Sequence, residues 1–318
     1  MDRLTFTYAT HQIPLECDVY SSSTYPPDSP VFLFFHAGGL VRGARNCVPP
    51  WLVQVCIYRQ WPLISASYRL FPQANGESLL EDVTAAYEFS RKWGGGAERP
   101  VVVGGASAGF FCAALIAHHL QPQPLALLSI TGIPTFRHPF FNSSNFIAPE
   151  CLDELKMRKY LDRSVEVGSE PIAESMIFSP DSLTKSGGRN TGYQHPKPRP
   201  IPPSGNLYRY FLSKNAYIPM LGSVDPGFEW AESDSQRLRL ANWPITIFIH
   251  GNKDVDVGID VIIEVVRNLG PEKAKLMIAE GQTHLFEATC FLEDKGVAMD
   301  TVKCAMKELD EAVSRAQK

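Results

Sequence analysis

The stretch VVVGGASAGFFCAALIAHH, Val101 to His119, decides how the chain is read. Val101–Val103 follow Pro100 as an apolar, β-branched run, the composition of a buried strand. A Gly-Gly-Ala-Ser-Ala-Gly turn comes next, then a segment rich in Ala and Leu that reads as a helix. Gly105, Ser107 and Gly109 stand at G-x-S-x-G spacing, which at a strand-to-helix junction marks a nucleophile elbow. A serine thrust out on so sharp a turn needs neighbours with almost no side chain, because strand and helix backbones crowd together there. The helix N-terminus adds unpaired N–H groups aimed at any negative charge that develops beside the serine. The pattern is short, so its weight depends on finding partners elsewhere in the chain.

Upstream, Leu4–Tyr8 alternates and Ile13–Tyr20 is mixed, with His11-Gln12 between them, which predicts an antiparallel hairpin at a sheet edge. Ser21–Ser29 is turn chemistry. VFLFF, Val31–Phe35, is a continuous apolar run, as expected of a strand covered on both faces, and it ends in His36-Ala37-Gly38-Gly39. A helix is expected over Trp51–Arg59, a strand over Leu63–Tyr68, and a helix over Ser78–Lys92 that Gly94–Gly96 stop. Leu125–Ile130 reads as another buried strand. The rhythm then fails from Gly132 to Ala241, where short helical pieces (Ala148–Tyr160, Ile172–Ile177, Leu207–Lys214) flank a Gly- and Pro-rich loop, Ser186–Asn206. It resumes with a strand at Ile245–Ile249, a helix at Asp256–Asn268, a strand at Ala274–Ala279 and a closing helix at Gly296–Ala316. Alternating strands and helices imply an α/β, mostly parallel, doubly wound sheet. Because the strand pattern resumes, residues 1–131 and 242–318 are expected to form the sheet domain, and 132–241 an inserted helical cap.

Composition narrows the function. Apolar residues make up 44% of the 318 and charged residues 20%, enough for a large core. A net charge of −4 gives no footprint for nucleic acid. No run approaches a membrane span, and the first residues lack a basic region followed by an apolar run. Seven cysteines with no Cys-x-x-Cys pair suggest reduced thiols and a cytoplasmic protein. No His, Cys or Asp spacing resembles a zinc site, and Gly94–Gly96 lack a phosphate-loop ending, so neither metal nor cofactor is expected. The expected partner is a small-molecule substrate; monomer and homodimer both stay open.

An activated serine needs a base, a group to orient the base, and donors for the oxyanion. His250-Gly251-Asn252-Lys253-Asp254 places an acid just past one strand, and Glu280-Gly281-Gln282-Thr283-His284 places a histidine past the last. Loops at the C-terminal ends of strands are where sites collect in open parallel sheets. Asp256 and Asp225 are rival acids. The order Ser, Asp, His is that of α/β-hydrolases, and His36-Ala37-Gly38-Gly39 could line an oxyanion hole with backbone N–H groups.

With these residues in place, the chain resembles the hormone-sensitive-lipase-like, "fold-3" esterase group of α/β-hydrolases. The match runs in order through His-x-Gly-Gly, SASYRLFP (Ser65–Pro72), EDVTAAYEF (Glu81–Phe89), GGASAG, HGNKDVDV (His250–Val257) and GQTHLFE. It spans nearly the whole sheet domain and stops at the cap. The resemblance implies Ser107 as nucleophile, His284 as base, Asp254 as acid, and the N–H groups of Gly38, Gly39 and Ala108 as oxyanion donors. Two positions depart from the group's usual motifs: Ala106 replaces the Asp before the nucleophile, and Ala37 the first Gly of His-Gly-Gly-Gly. Leu40, Trp51, Phe110 and Phe111 are candidates for an apolar substrate pocket or for the core. Arg69 with Asp82 reads as a structural ion pair. The implied function is a serine hydrolase acting on an ester, lactone or related acyl bond, by analogy in secondary metabolism. Acyl transfer or cyclisation through the same triad, and a silent ligand-binding homologue, are the alternatives.

Overall fold

Alternating side chains along Asp2–His11 (β1) and Ile13–Ser21 (β2) pair the two segments as an antiparallel hairpin, His11 opposite Ile13 and Asp2 opposite Ser21. The structure, a computed structural model, describes residues 1–142, 154–194, 197, 203–229 and 234–317. Val31–Phe35 (β3), Leu63–Ala66 (β4), Val101–Ala106 (β5), Leu127–Ile130 (β6), Thr246–Gly251 (β7) and Ala274–Ala279 (β8) complete an eight-stranded sheet. Its order is β1-β2-β4-β3-β5-β6-β7-β8. β2 meets β4 antiparallel, and every pair from β4 onward is parallel.

VFLFF explains why this sheet is buried on both faces. Side chains alternate along a strand, so Phe32 and Phe34 join one core with Trp51 and Leu52 of helix α1 (Pro50–Arg59) and Val302 and Leu309 of the final helix, Val297–Ala316. Val31, Leu33 and Phe35 join the opposite core with Leu79 and Val83 of α2 (Gly76–Arg91) and Leu115 of α3 (Ala108–His119). Val261 and Val265 of the helix Ile259–Leu269 add to that second layer. That helix starts three residues later than the sequence predicts. The Asp254 carboxylate accepts from the N–H groups of Asp256 and Val257, holding them in a turn instead of a first helical turn.

Between β6 and β7 the described residues carry no strand of the main sheet. Helices α4 (Glu154–Leu161), α5 (Leu207–Ser213), α6 (Tyr217–Leu221) and α7 (Asp234–Asn242) lie here; Ile259–Leu269 and Val297–Ala316 are thus α8 and α9. The expected helix from Ala148 is seen only from Glu154, because 148–153 lie outside the described residues, as do parts of the Ser186–Asn206 loop. Ile172–Ile177 forms one 3₁₀ turn, Glu174–Met176, rather than a helix. Phe136, Tyr160, Leu207, Phe211 and Tyr217 join the same core as α2 and α3, so this segment packs directly against those helices. No described helix is long and apolar enough to cross a membrane.

Arg69 and Asp82 are a buried ion pair, 3% and 0% exposed in the side chain. Arg69 donates to both Asp82 oxygens, and its own backbone N–H donates to Oδ2 at 2.8 Å. His11 and Glu81 cluster around the same two groups, so the guanidinium supplies the cation that balances this acidic cluster. Breaking such a pair strands a buried charge. Asp82→Ala is therefore expected to cost about 3–5 kcal/mol, read as a lower urea midpoint, with no effect on the chemistry of the surviving folded protein.

Candidate active site

Ser107 stands between β5 and α3 with φ +51° and ψ −126°, a left-handed backbone that non-glycine residues seldom adopt. The turn is held by Ser107 N–H donating to Ile130 O (2.9 Å) and by Ser107 O accepting from the N–H groups of Phe110 and Ile133. Its sharpness requires the flanking glycines. A Cβ on Gly105 would lie 2.2 Å from the Gly109 backbone, and one on Gly109 would lie 2.2 Å from Phe35 O.

The three candidate residues meet although they are separated by 177 and 30 positions in the chain. His284 Nε2 lies 3.0 Å from Ser107 Oγ, and His284 Nδ1 lies 2.7 Å from Asp254 Oδ2. Asp254 is fixed in turn: its side chain is fully buried, and Oδ1 accepts from the N–H groups of Asp256 and Val257, both at 2.9 Å. With Asp254 ionised, Nδ1 carries the proton and Nε2 presents a lone pair to the serine hydroxyl, the polarity a general base needs. His250 lies 3.4 Å from Asp254 Oδ2 but donates Nε2–H to Val257 O at 2.9 Å; burial lowers its basicity.

The rival acids are elsewhere. Asp225 is 2% exposed and accepts from Thr135 Oγ1, Phe136 N–H and Gly227 N–H, tying two loops together. Burial raises its carboxyl despite those bonds. The Asp256 side chain lies 3.5 Å from Arg209.

The loop after β3 lies against the elbow, Gly109 under Phe35 and His36. Gly38 adopts φ +133°, and a Cβ there would fall 2.0 Å from Arg42 O, so only glycine fits this turn. Gly38 O accepts from Val41 and Arg42 N–H, both at 3.1 Å. His36 braces the loop. Burial pushes its imidazole down to about 4, and its Nδ1–H donates to Ala37 O at 2.9 Å while its ring stacks on Tyr68. Ala108 begins α3, so its N–H has no intrahelical acceptor.

Two tyrosines not singled out by the sequence hold these loops from the segment between β6 and β7. Tyr217 donates its hydroxyl to Gly39 O at 2.5 Å. Tyr208 packs its ring on Gly39 and donates its hydroxyl to Asp256 O at 2.9 Å, joining the loop after β3 to the loop that carries Asp254. No spacing within LYRYFLSKNAYI separates these two from their neighbours.

The structure packs Leu40, Trp51, Phe110 and Phe111 into the core. Each is at most 1% exposed, and Phe110 and Phe111 pack edge-on against Phe248 and Phe136. All of Ala108–Ala117 is buried, because α3 is enclosed on every side, so its apolar residues serve the core. Two clefts, of about 770 and 920 Å³, are lined by residues other than Ser107, Asp254 and His284.

Comparison with known proteins agrees with this fold. A family model described as the α/β-hydrolase fold matches residues 32–164, which run from β3 through the elbow to past β6. The chain has the α/β-hydrolase fold. Its motifs resemble those of the hormone-sensitive-lipase-like group, and a short stretch of its sequence is similar to a carboxylesterase. A probable carboxylesterase from Phoma sp. is 34% identical over 67 residues, 20% of this chain and 21% of that relative, so the match spans about a fifth of the relative's length. Two solved structures share the fold across 98% of this chain, each at 16% identity. One is a Staphylococcus aureus protein of unknown function (TM-score 0.68, 99% of it covered). The other is carboxyl esterase 2 from the mycorrhizal fungus Tuber melanosporum (TM-score 0.59, 87% covered).

Proposed function

We propose that this hydrolase is a serine carboxylesterase that works through an acyl-enzyme. The observation that carries the reading is the continuous relay from Ser107 Oγ to His284 (3.0 Å) to Asp254 (2.7 Å) on a strained elbow. Ser107 Oγ attacks the ester carbonyl carbon as its proton passes to His284 Nε2. Asp254 holds the imidazolium that forms. The carbonyl oxygen takes the negative charge and is bound by the N–H groups of Gly38, Gly39 and Ala108; one such donor is worth about 3–4 kcal/mol. Collapse of the intermediate expels the alcohol, which leaves with the proton from His284. Water then repeats the sequence on the acyl-enzyme, its proton going to His284 and Ser107 regaining its hydrogen.

In this reading residues 132–241 act as a cap. Tyr208 and Tyr217 reach from it onto Gly39, and Ser107 is only 7% exposed, which favours a narrow range of small to medium apolar esters, such as a specialised secondary metabolite, over broad turnover. The test is a series of p-nitrophenyl acyl esters with and without an added alcohol. Release of p-nitrophenol with free acid as product supports hydrolysis. Transfer of the acyl group to the alcohol in preference to water would replace hydrolysis with acyl transfer, and no acylation of any ester would remove the catalytic reading.

A further inference from the structure

A buried carboxyl ordinarily has neighbours that hydrogen-bond it, and Glu287 is an exception. It is 0% exposed, and neither of its oxygens accepts a hydrogen bond from another described residue. It stands three residues past His284 and borders a cavity of about 20 Å³, room for one water-sized molecule. Ala37, from the loop after β3, and Ala106, immediately before Ser107, line the same cavity. These are the two positions at which the chain departs from the motifs it otherwise resembles. Small side chains at both positions thus border the same cavity as Glu287.

We propose that Glu287 is a positioning residue for His284, supplying from the histidine loop the carboxylate that the elbow lacks at Ala106. The inference rests on the serine-hydrolase reading above. When His284 takes the Ser107 proton it becomes a cation, and an ionised Glu287 nearby stabilises that cation in a site where little water screens the charge. The other groups around Glu287 leave this role to it. Asp254 acts on it from the acid loop. Cys47, before α1, and Cys290, on its own segment, are neutral because burial pushes their thiols up to about 12 and about 11. Ile172 and Met176 close the cavity with apolar side chains, and Glu174 between them acts on Cys47.

Burial raises the Glu287 carboxyl to about 7; its own backbone N–H and His284 pull it down, and Asp254 pushes it up. The carboxylate is therefore present above that pH and the neutral acid below it. Glu287→Gln keeps the shape and removes the charge. Its kcat is expected to fall about tenfold above pH ~8 and to match the wild type within about twofold below pH ~6, with KM unchanged at both. Moving the carboxyl back to the elbow, Ala106→Asp with Glu287→Ala, is expected to recover most of the activity lost in Glu287→Ala alone. A Glu287→Gln deficit equal at both pH values, or no deficit, overturns the proposal; so does a folded double variant no better than Glu287→Ala. These failures leave the nucleophile untouched. If turnover survives Ser107→Ala, it is the serine-hydrolase reading that falls.

Discussion

Ser107→Ala is expected to lose about 10⁶-fold in kcat toward any ester the protein turns over, the usual cost of removing the serine of such a triad. The loss should come without unfolding. The Ser107 hydroxyl makes no cap to α3, and its hydrogen bond runs to His284 Nε2. The turn is held by backbone groups at Ile130, Phe110 and Ile133, all of which alanine retains. Alanine also meets the same cost as serine at φ +51°. Thermal melts should therefore place the variant within about 1 kcal/mol of wild type. A folded Ser107→Ala that kept a tenth of the activity would contradict the mechanism.

The second large effect concerns the acid. Asp254→Asn is expected to lower kcat by about 10⁴-fold, the cost when the buried acid of a Ser-His-Asp triad becomes an amide. The local bonding gives the reason. Oδ1 accepts from two backbone N–H groups, so the asparagine carbonyl would stay there. Its NH₂ would then face His284 Nδ1. The imidazole must accept that bond, which moves its proton to Nε2 and leaves nothing to accept the Ser107 hydrogen. Asp225→Asn should instead lower stability and leave kcat close to wild type, because its partners are Thr135, Phe136 and Gly227. Asp256→Asn should do little, since Tyr208 uses its backbone oxygen rather than its side chain. Assaying the three variants side by side separates them. If either rival proved the more damaging, the acid would be misassigned.

What the sequence disclosed, it disclosed through local chemistry. VFLFF reads as a strand because both its faces are covered, and the elbow reads as an elbow because two close backbone approaches leave room only for hydrogen. Asp254 and His284 stand just after parallel strands, an arrangement that brings distant residues together at one end of the sheet. The rest depends on packing that no spacing records. Phe110 and Phe111 sit one turn from the nucleophile, yet an all-apolar helix shows no face, and they proved to be core. Tyr208, Tyr217 and Glu287 act from segments far away in the chain or on the unpatterned side of a loop. Their roles come from which groups the fold sets beside them, hydroxyls on loop carbonyls and a carboxyl in a cavity.

The central claim, that Ser107 is an activated nucleophile, is tested most directly by a fluorophosphonate. Attack by Ser107 Oγ on phosphorus would form an Oγ–P bond and expel fluoride, and peptide mass spectrometry would locate the adduct. The account predicts a single adduct on Ser107, absent in Ser107→Ala and formed far more slowly in His284→Ala. An adduct on another residue, or none from a protein that still turns over esters, would contradict it.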